Sequence, residues 1–237
     1  MKLFESIIQP SGTTHSATVI FFHGSGSTGN NLIEWIRFLM GRNFDIPYVK
    51  FIFPTAPMQK HTPLKGKYSR VWFDCNKISI YDSERIESLS SIYETVDALL
   101  NREIEGCGIP ANRVIIGGFS MGGALALHTA YHLKTNLAGV FCASSYLNEG
   151  SIVYRSLDNH SKNNLPPLKM FHSENDPFIP MKWGVKTFEE LKTRGVKGDF
   201  IPVKSNSHEL KSRMLIDVEN WIREIVPPLQ SDIANKL

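Results

Sequence analysis

The feature that most constrains the fold is a serine flanked by glycines where two sequence patterns meet. The segment Gly118–Gly122 has the form Gly-x-Ser-x-Gly, with Ser120 at its centre. It follows the apolar run Arg113–Gly117 and opens the small-residue segment Gly123–His128, which indicates a strand, a sharp turn and a helix. This context makes the motif a nucleophile elbow, which exposes the serine hydroxyl at its apex. We therefore predict that Ser120 is a nucleophile; the alternative is an ordinary glycine-rich turn.

The rest of the chain alternates apolar, β-rich runs with helical patterns. Apolar residues between Leu32 and Met40 recur at helical spacing, and Gly41 is a plausible C-cap. Strands are predicted over 17–22, 49–53, 113–117, 137–142, 167–172 and 198–203, and further helices over 86–106, 184–194 and 209–225. This alternation predicts an α/β fold: a mostly parallel central sheet with helices on both faces. The segment 54–83 has no clear period and is expected to be a long functional loop.

Size and composition bound the class of protein. A chain of 237 residues usually makes one α/β domain, which we expect over residues 1–226, followed by a polar C-terminal tail over 227–237. A net charge of +3 without a basic block argues against nucleic-acid binding. No apolar stretch reaches the ~20 residues of a membrane helix, so stable membrane insertion is not expected. Three scattered cysteines and no signal-peptide pattern predict a cytoplasmic protein, which we expect to be a monomer or a weak dimer.

The partners of Ser120 are sought downstream of it. A serine hydroxyl needs a base to take its proton and an acid to hold that base in the right tautomer. In the elbow architecture these partners follow the serine in the order Asp or Glu, then His. Asp176 follows the strand predicted to end at residue 172 and is the predicted acid, with Glu174 as the alternative. His208 lies between the last predicted strand and the last helix and is the predicted base.

Two backbone N–H groups are candidates for binding the oxyanion. Met121 directly follows the nucleophile at a predicted helix N-terminus, where partial positive charge gathers. Ser25 lies in the loop His23–Gly26 after the first long strand, where such His-Gly loops supply a second donor. The side chain of His23 is expected to be structural. A phosphate-binding loop over 23–29 is disfavoured because the P-loop lysine is missing, and we expect neither a cofactor nor a metal.

Taken together, these segments resemble the acyl-protein thioesterase/lysophospholipase family of α/β-hydrolases. The resemblance covers about residues 4 to 226 and rests on the segments Phe22–Gly26, Pro54–Pro57, Val71–Asp74 and Gly117–Gly123, with Asp176 and His208. It implies a cytosolic serine hydrolase that acts on acyl esters or thioesters. It also supports the three predicted catalytic side chains and the two oxyanion donors named above.

The substrate stays open at this point. The resemblance implies an acylated protein or a small acyl ester; the alternatives are lysophospholipase or long-chain depalmitoylase activity, or a non-catalytic acyl-binding module. The segments Gly24–Gly26 and Thr62–Gly66 resemble one branch of the family, which implies a restricted acyl tunnel and short acyl chains. The loop around Met58–Phe73 is the candidate substrate wall. Its predicted substrate-binding residues are Leu64, Trp72 and Phe73.

Overall fold

A mostly parallel sheet of seven strands is the centre of the computed structural model, which describes residues 3–12, 14–159 and 164–234. The strands are β1 (Phe4–Ile8), β2 (Ala17–Phe22), β3 (Val49–Thr55), β4 (Met58–His61), β5 (Lys67–Arg70), β6 (Val114–Phe119), β7 (Gly139–Ala143), β8 (Leu168–Ser173) and β9 (Gly198–Val203). The sheet has the order β1-β3-β2-β6-β7-β8-β9. β1 pairs antiparallel with β3, and the other pairings within the sheet are parallel. The carboxyl ends of its central strands therefore meet at one edge, where functional groups are expected.

Helices pack on both faces of this sheet. They are α1 (Gly29–Met40), α2 (Ile86–Asn101), α3 (Met121–His128), α4 (Ile152–Asp158), α5 (Met181–Thr193), α6 (Ser212–Ile225) and α7 (Gln230–Ala234). Successive side chains of β2 point to opposite faces, as strand geometry requires. Ile20 joins the core formed with α2 to α5, whereas Phe21 joins the core formed with α1 and α6. The predicted fold class is confirmed.

The segment 54–83 is more ordered than its sequence suggested. It contains the antiparallel hairpin of β4 and β5, joined by a 3₁₀ turn over Thr62–Leu64. Asp74 fixes this turn, because its carboxylate accepts hydrogen bonds from the backbone N–H and the hydroxyl of Thr62, both at 2.7 Å. The two strands are only four residues long and mostly polar, so they show no apolar alternation that could have predicted them.

The two ends of the chain also differ from the prediction. β1 was not predicted, because Glu5 and Ser6 interrupt its apolar pattern at the edge of the sheet. The predicted polar tail contains the short helix α7, and Asp232 of this helix accepts a hydrogen bond of 2.6 Å from the Ser16 hydroxyl. Residues 235–237 of the tail lie outside the described residues. In the described part of the chain, every helix is too short or too polar to cross a membrane.

Candidate active site

Ser120 sits in a strained turn between β6 and α3. Its backbone has φ 54° and ψ −124°, in the region that residues with a side chain seldom adopt. The flanking glycines make the turn possible. A Cβ on Gly118 would lie 2.1 Å from the backbone of Gly122, and a Cβ on Gly122 would lie 2.3 Å from the carbonyl oxygen of Phe22. The turn predicted from the Gly-x-Ser-x-Gly pattern is therefore present, and it leaves the serine half-buried at the end of the sheet.

The structure brings the three predicted catalytic side chains into one hydrogen-bonded row. His208 Nε2 lies 2.9 Å from the Ser120 hydroxyl oxygen, and His208 Nδ1 lies 2.7 Å from Asp176 Oδ2. The three residues follow the ends of β6, β8 and β9, where the parallel strands deliver them to one edge. In this geometry Nδ1–H donates to the carboxylate, so Nε2 is free to accept the serine proton.

Asp176 is held for this contact by the loop in which it lies. Its side chain is fully buried, and Oδ1 accepts hydrogen bonds from the backbone N–H groups of Phe178 and Ile179, both at 2.9 Å. Burial opposes ionisation, but the hydrogen bonds from Ile179, His208 and Phe178 outweigh it and hold the pKa of Asp176 below its usual range. The carboxylate is thus ionised and correctly aimed at neutral pH. Glu174, the alternative acid, is exposed to solvent.

The two predicted oxyanion donors are neighbours in space. The Ser25 hydroxyl lies 3.5 Å from the sulfur of Met121, although 96 residues separate them in the chain. Met121 is the first residue of α3, where a backbone N–H has no acceptor within the helix. Both residues line the same cavity as Ser120. This arrangement can present two N–H groups to a carbonyl oxygen bound beside the serine.

His23 and Trp72 hold the loop that carries Ser25. His23 Nε2 accepts the backbone N–H of Ala56 at 3.0 Å, and its Nδ1 lies 2.6 Å from the carbonyl oxygen of Gly24. The indole N–H of Trp72 donates to the carbonyl oxygen of His23 at 2.7 Å. Burial lowers the pKa of His23 to about 4, so the ring is neutral near pH 7, with Nδ1–H donating and Nε2 accepting. The side chain of His23 is structural, as predicted.

A cavity of about 70 Å³ opens beside Ser120. Of the three predicted substrate-binding residues, the structure brings only Phe73 to its wall. Trp72 is 1% exposed and lies in the core, where its indole N–H donates to the carbonyl oxygen of His23. Leu64 is exposed on the hairpin turn and does not line the cavity. Sequence reasoning missed several residues of this wall, which no motif marks. They include His61, Ile78, His128, Ser144, Tyr146 and Ile179.

Other reactive groups lie apart from this chemistry. Within the described residues, no cluster of three or more His, Cys, Asp or Glu side chains could hold a metal ion. Cys75 borders the cavity, but burial raises the pKa of its thiol to about 11, which leaves it a poor nucleophile at neutral pH. His172 is buried, and its Nε2 lies 2.8 Å from the carbonyl oxygen of Ile179.

Fold and site together define an α/β-hydrolase. A family model described as Phospholipase/Carboxylesterase matches residues 4–226. The chain belongs to this family, and its class is that of serine hydrolases of carboxylic esters or thioesters. The resemblance predicted from the motifs is confirmed.

Among individual proteins, the chain is 39% identical to lysophospholipase-like protein 1 of Mus musculus, over 93% of this chain and 91% of that protein. It is 34% identical to acyl-protein thioesterase 1 homolog 1 of Dictyostelium discoideum, over 95% of this chain and 97% of the relative. Among solved structures, Zea mays acyl-protein thioesterase 2 has a TM-score of 0.81 at 23% identity, covering 94% of this chain and 99% of that one. This last similarity shows the fold.

Proposed function

We propose that the chain hydrolyses acyl thioesters and esters through a Ser120–His208–Asp176 triad and a covalent acyl-enzyme. The observation that carries the proposal is the row of contacts from Ser120 to His208 at 2.9 Å and from His208 to Asp176 at 2.7 Å. A buried carboxylate, an imidazole and a hydroxyl in this order form the constellation that activates a serine for acyl transfer.

The reaction then proceeds in two halves. The Ser120 oxygen attacks the acyl carbonyl carbon while His208 Nε2 takes the hydroxyl proton, and the oxyanion is stabilised by the N–H groups of Ser25 and Met121. The tetrahedral intermediate collapses and the bond to the leaving group breaks. His208 gives its proton to the departing sulfur of a thioester or the departing oxygen of an ester. Water, deprotonated by His208, then attacks the acyl-enzyme and releases the carboxylic acid and the free serine.

The proposed substrate is an acylated protein or a small acyl ester. Support comes from the relatives, whose names are lysophospholipase-like protein and acyl-protein thioesterase. The cavity beside the serine also supports an acyl substrate, because it offers an acyl group a place next to Ser120. Lysophospholipase and long-chain depalmitoylase activity are the competing proposals, and acyl-chain length separates them from this one.

Labelling and turnover of one serine variant test the proposal. A fluorophosphonate probe should label the wild-type chain and fail to label Ser120→Ala, and the variant's kcat on p-nitrophenyl acetate should fall roughly 10⁵- to 10⁶-fold. Ser212→Ala, at an exposed position on α6, is the matched control and should retain labelling and turnover. A wild-type chain that stays unlabelled would identify an acyl-binding module. Turnover by Ser120→Ala, once contamination is excluded, would overturn the nucleophile.

A further inference from the structure

The loop that carries Asp176 is held differently in its two halves. It spans residues 174–180, between β8 and α5. At its start, the backbone N–H of Glu174 donates to the carbonyl oxygen of Val203 in β9 at 2.9 Å, which ties the loop to the sheet. Near its end, the backbone N–H of Ile179 donates to Asp176 Oδ1 at 2.9 Å, which ties the loop to itself. A surface loop is mobile unless it is anchored, so the second half depends on a contact from elsewhere.

The side chain of His172 supplies this contact from β8. Its Nε2 lies 2.8 Å from the carbonyl oxygen of Ile179. A carbonyl oxygen can only accept, so Nε2 carries the ring proton and donates it. Ile179 therefore accepts a hydrogen bond from the sheet at its carbonyl oxygen and donates one to the carboxylate from its N–H. A continuous row of contacts runs through His172, Ile179, Asp176, His208 and Ser120.

The His172 ring is buried and closely packed. A Cβ on Gly184 of α5 would lie 2.3 Å from its Nδ1, and the ring of Phe200 stacks with it at a centroid distance of 6.3 Å. Among the described residues Nδ1 has no hydrogen-bond partner, so a second ring proton would be a buried donor without an acceptor. Burial lowers the pKa of His172, although the hydrogen bond to Ile179 and the charge of Asp176 raise it. The ring is therefore neutral at pH 7 and keeps its proton on Nε2.

We propose that His172 is a positioning residue for the triad: through the Ile179 carbonyl it holds the loop in the conformation that aims Asp176 at His208. The inference rests on the proposed function and deepens it, because it adds to that site a residue that acts through the acid. His172 does not line the cavity beside Ser120. Its loss should therefore slow the chemical steps and leave substrate binding unchanged.

The size of the effect is bounded by general magnitudes. A buried carbonyl oxygen that loses its donor costs roughly 10- to 100-fold in an equilibrium or a rate. A displacement of a catalytic group by about 1 Å costs on the order of 10²-fold. Because His172 acts only through Asp176, its loss cannot exceed the roughly 10⁴-fold cost of losing the carboxylate itself. We therefore expect kcat to fall roughly 10- to 100-fold when the donor is removed.

The test compares His172→Leu with His172→Gln in the full-length chain. Leu fills the buried space without a donor, whereas the Gln amide can still donate to the Ile179 carbonyl. On p-nitrophenyl acetate, kcat per site labelled by the fluorophosphonate probe should fall roughly 10- to 100-fold in His172→Leu, with KM within about twofold of wild type. In His172→Gln, kcat should stay within about threefold of wild type. His132→Leu, at a half-buried histidine outside the cavity lining, is the matched control and should keep the wild-type kcat.

A double-variant measurement separates positioning from a purely structural role. In the Asp176→Asn background the carboxylate is already gone, so adding His172→Leu should lower kcat by less than about twofold. A structural role would instead lower kcat by the same factor in both backgrounds. That outcome would overturn the inference, as would a wild-type kcat in a folded His172→Leu.

If His172→Leu does not fold, Gly184→Ala carries the same test. It keeps the imidazole but displaces it, because the new Cβ would lie 2.3 Å from Nδ1. Its kcat should fall, whereas Gly150→Ala, where a Cβ meets nothing within 4 Å, should keep the wild-type kcat; equal values would overturn the inference. Labelling of the wild type and its loss in Ser120→Ala test the proposed function separately. A labelled wild type with full kcat in His172→Leu would therefore refute the role of His172 and leave the nucleophile assigned.

Discussion

Replacing Asp176 by Asn should abolish most activity while leaving the fold in place. Asn keeps a carbonyl oxygen for the two backbone N–H groups at 2.9 Å, so the loop stays anchored. The amide nitrogen then faces His208 Nδ1, which stands 2.7 Å from the present carboxylate oxygen. Nδ1 must now accept a hydrogen bond, and the ring proton moves to Nε2, towards Ser120. An imidazole in this tautomer cannot take the serine proton, so kcat should fall on the order of 10⁴-fold, equivalent to about 5 kcal/mol of transition-state stabilisation.

The assay for this prediction is kcat on p-nitrophenyl butanoate, with circular dichroism and the unfolding midpoint as checks on the fold. Glu174→Gln is the matched control, since Glu174 is an exposed carboxylate two residues away, and it should change kcat less than about twofold. A loss below tenfold in a folded Asp176→Asn would refute the assigned role of the carboxylate. If kcat fell more in Glu174→Gln than in Asp176→Asn, Glu174 would be the acid that orients His208.

Two further predictions concern the framework around the site. Gly118→Ala should destabilise the chain by about 3 kcal/mol or more in urea unfolding, because its Cβ would lie 2.1 Å from the backbone of Gly122. Gly150→Ala, where a Cβ meets nothing within 4 Å, is the control, and equal effects would refute the steric reasoning. His23, whose pKa burial lowers from 6.5 to about 4, binds a proton in the unfolded chain but not in the folded one between these pH values. The free energy of unfolding should therefore fall by about 3 kcal/mol on acidification from pH 6.5 to 4, and it should depend less on pH in His23→Gln. The same pH dependence in both proteins would contradict the lowered pKa of His23.

The parts of the fold that could be predicted are those whose burial imposes a period on the sequence. β2 and β6 are buried along their whole length, and β9 is bounded by recognisable turns, so all three were predicted within one or two residues. The hairpin of β4 and β5 could not be predicted. Its order comes from contacts distant in sequence, such as the Asp74 carboxylate on Thr62, and not from a local pattern.

The same distinction holds within the site. That Ser120, Asp176 and His208 lie close together could be predicted, because the elbow motif fixes their order in the chain and the strand ends fix their place on the sheet. The position of Trp72 was mispredicted, because an aromatic residue in a loop can equally contact substrate or pack in the core to support a neighbouring loop. Only its hydrogen bond to the carbonyl oxygen of His23 distinguishes these roles. His128 carried a usable signal in its helical spacing from Met121, but that signal has meaning only once the cavity is located.

The positive φ of Ser120 has a consequence for how far this protein can be stabilised. A residue with a side chain held at φ 54° raises the energy of the native state by on the order of 1–3 kcal/mol, and glycine would relieve much of it. A chain with glycine at position 120 should therefore be more stable, but it would lack the Ser120 hydroxyl. Selection for thermal stability alone would favour replacement of Ser120. Stabilised variants of this chain must therefore be screened for turnover as well as for the unfolding midpoint.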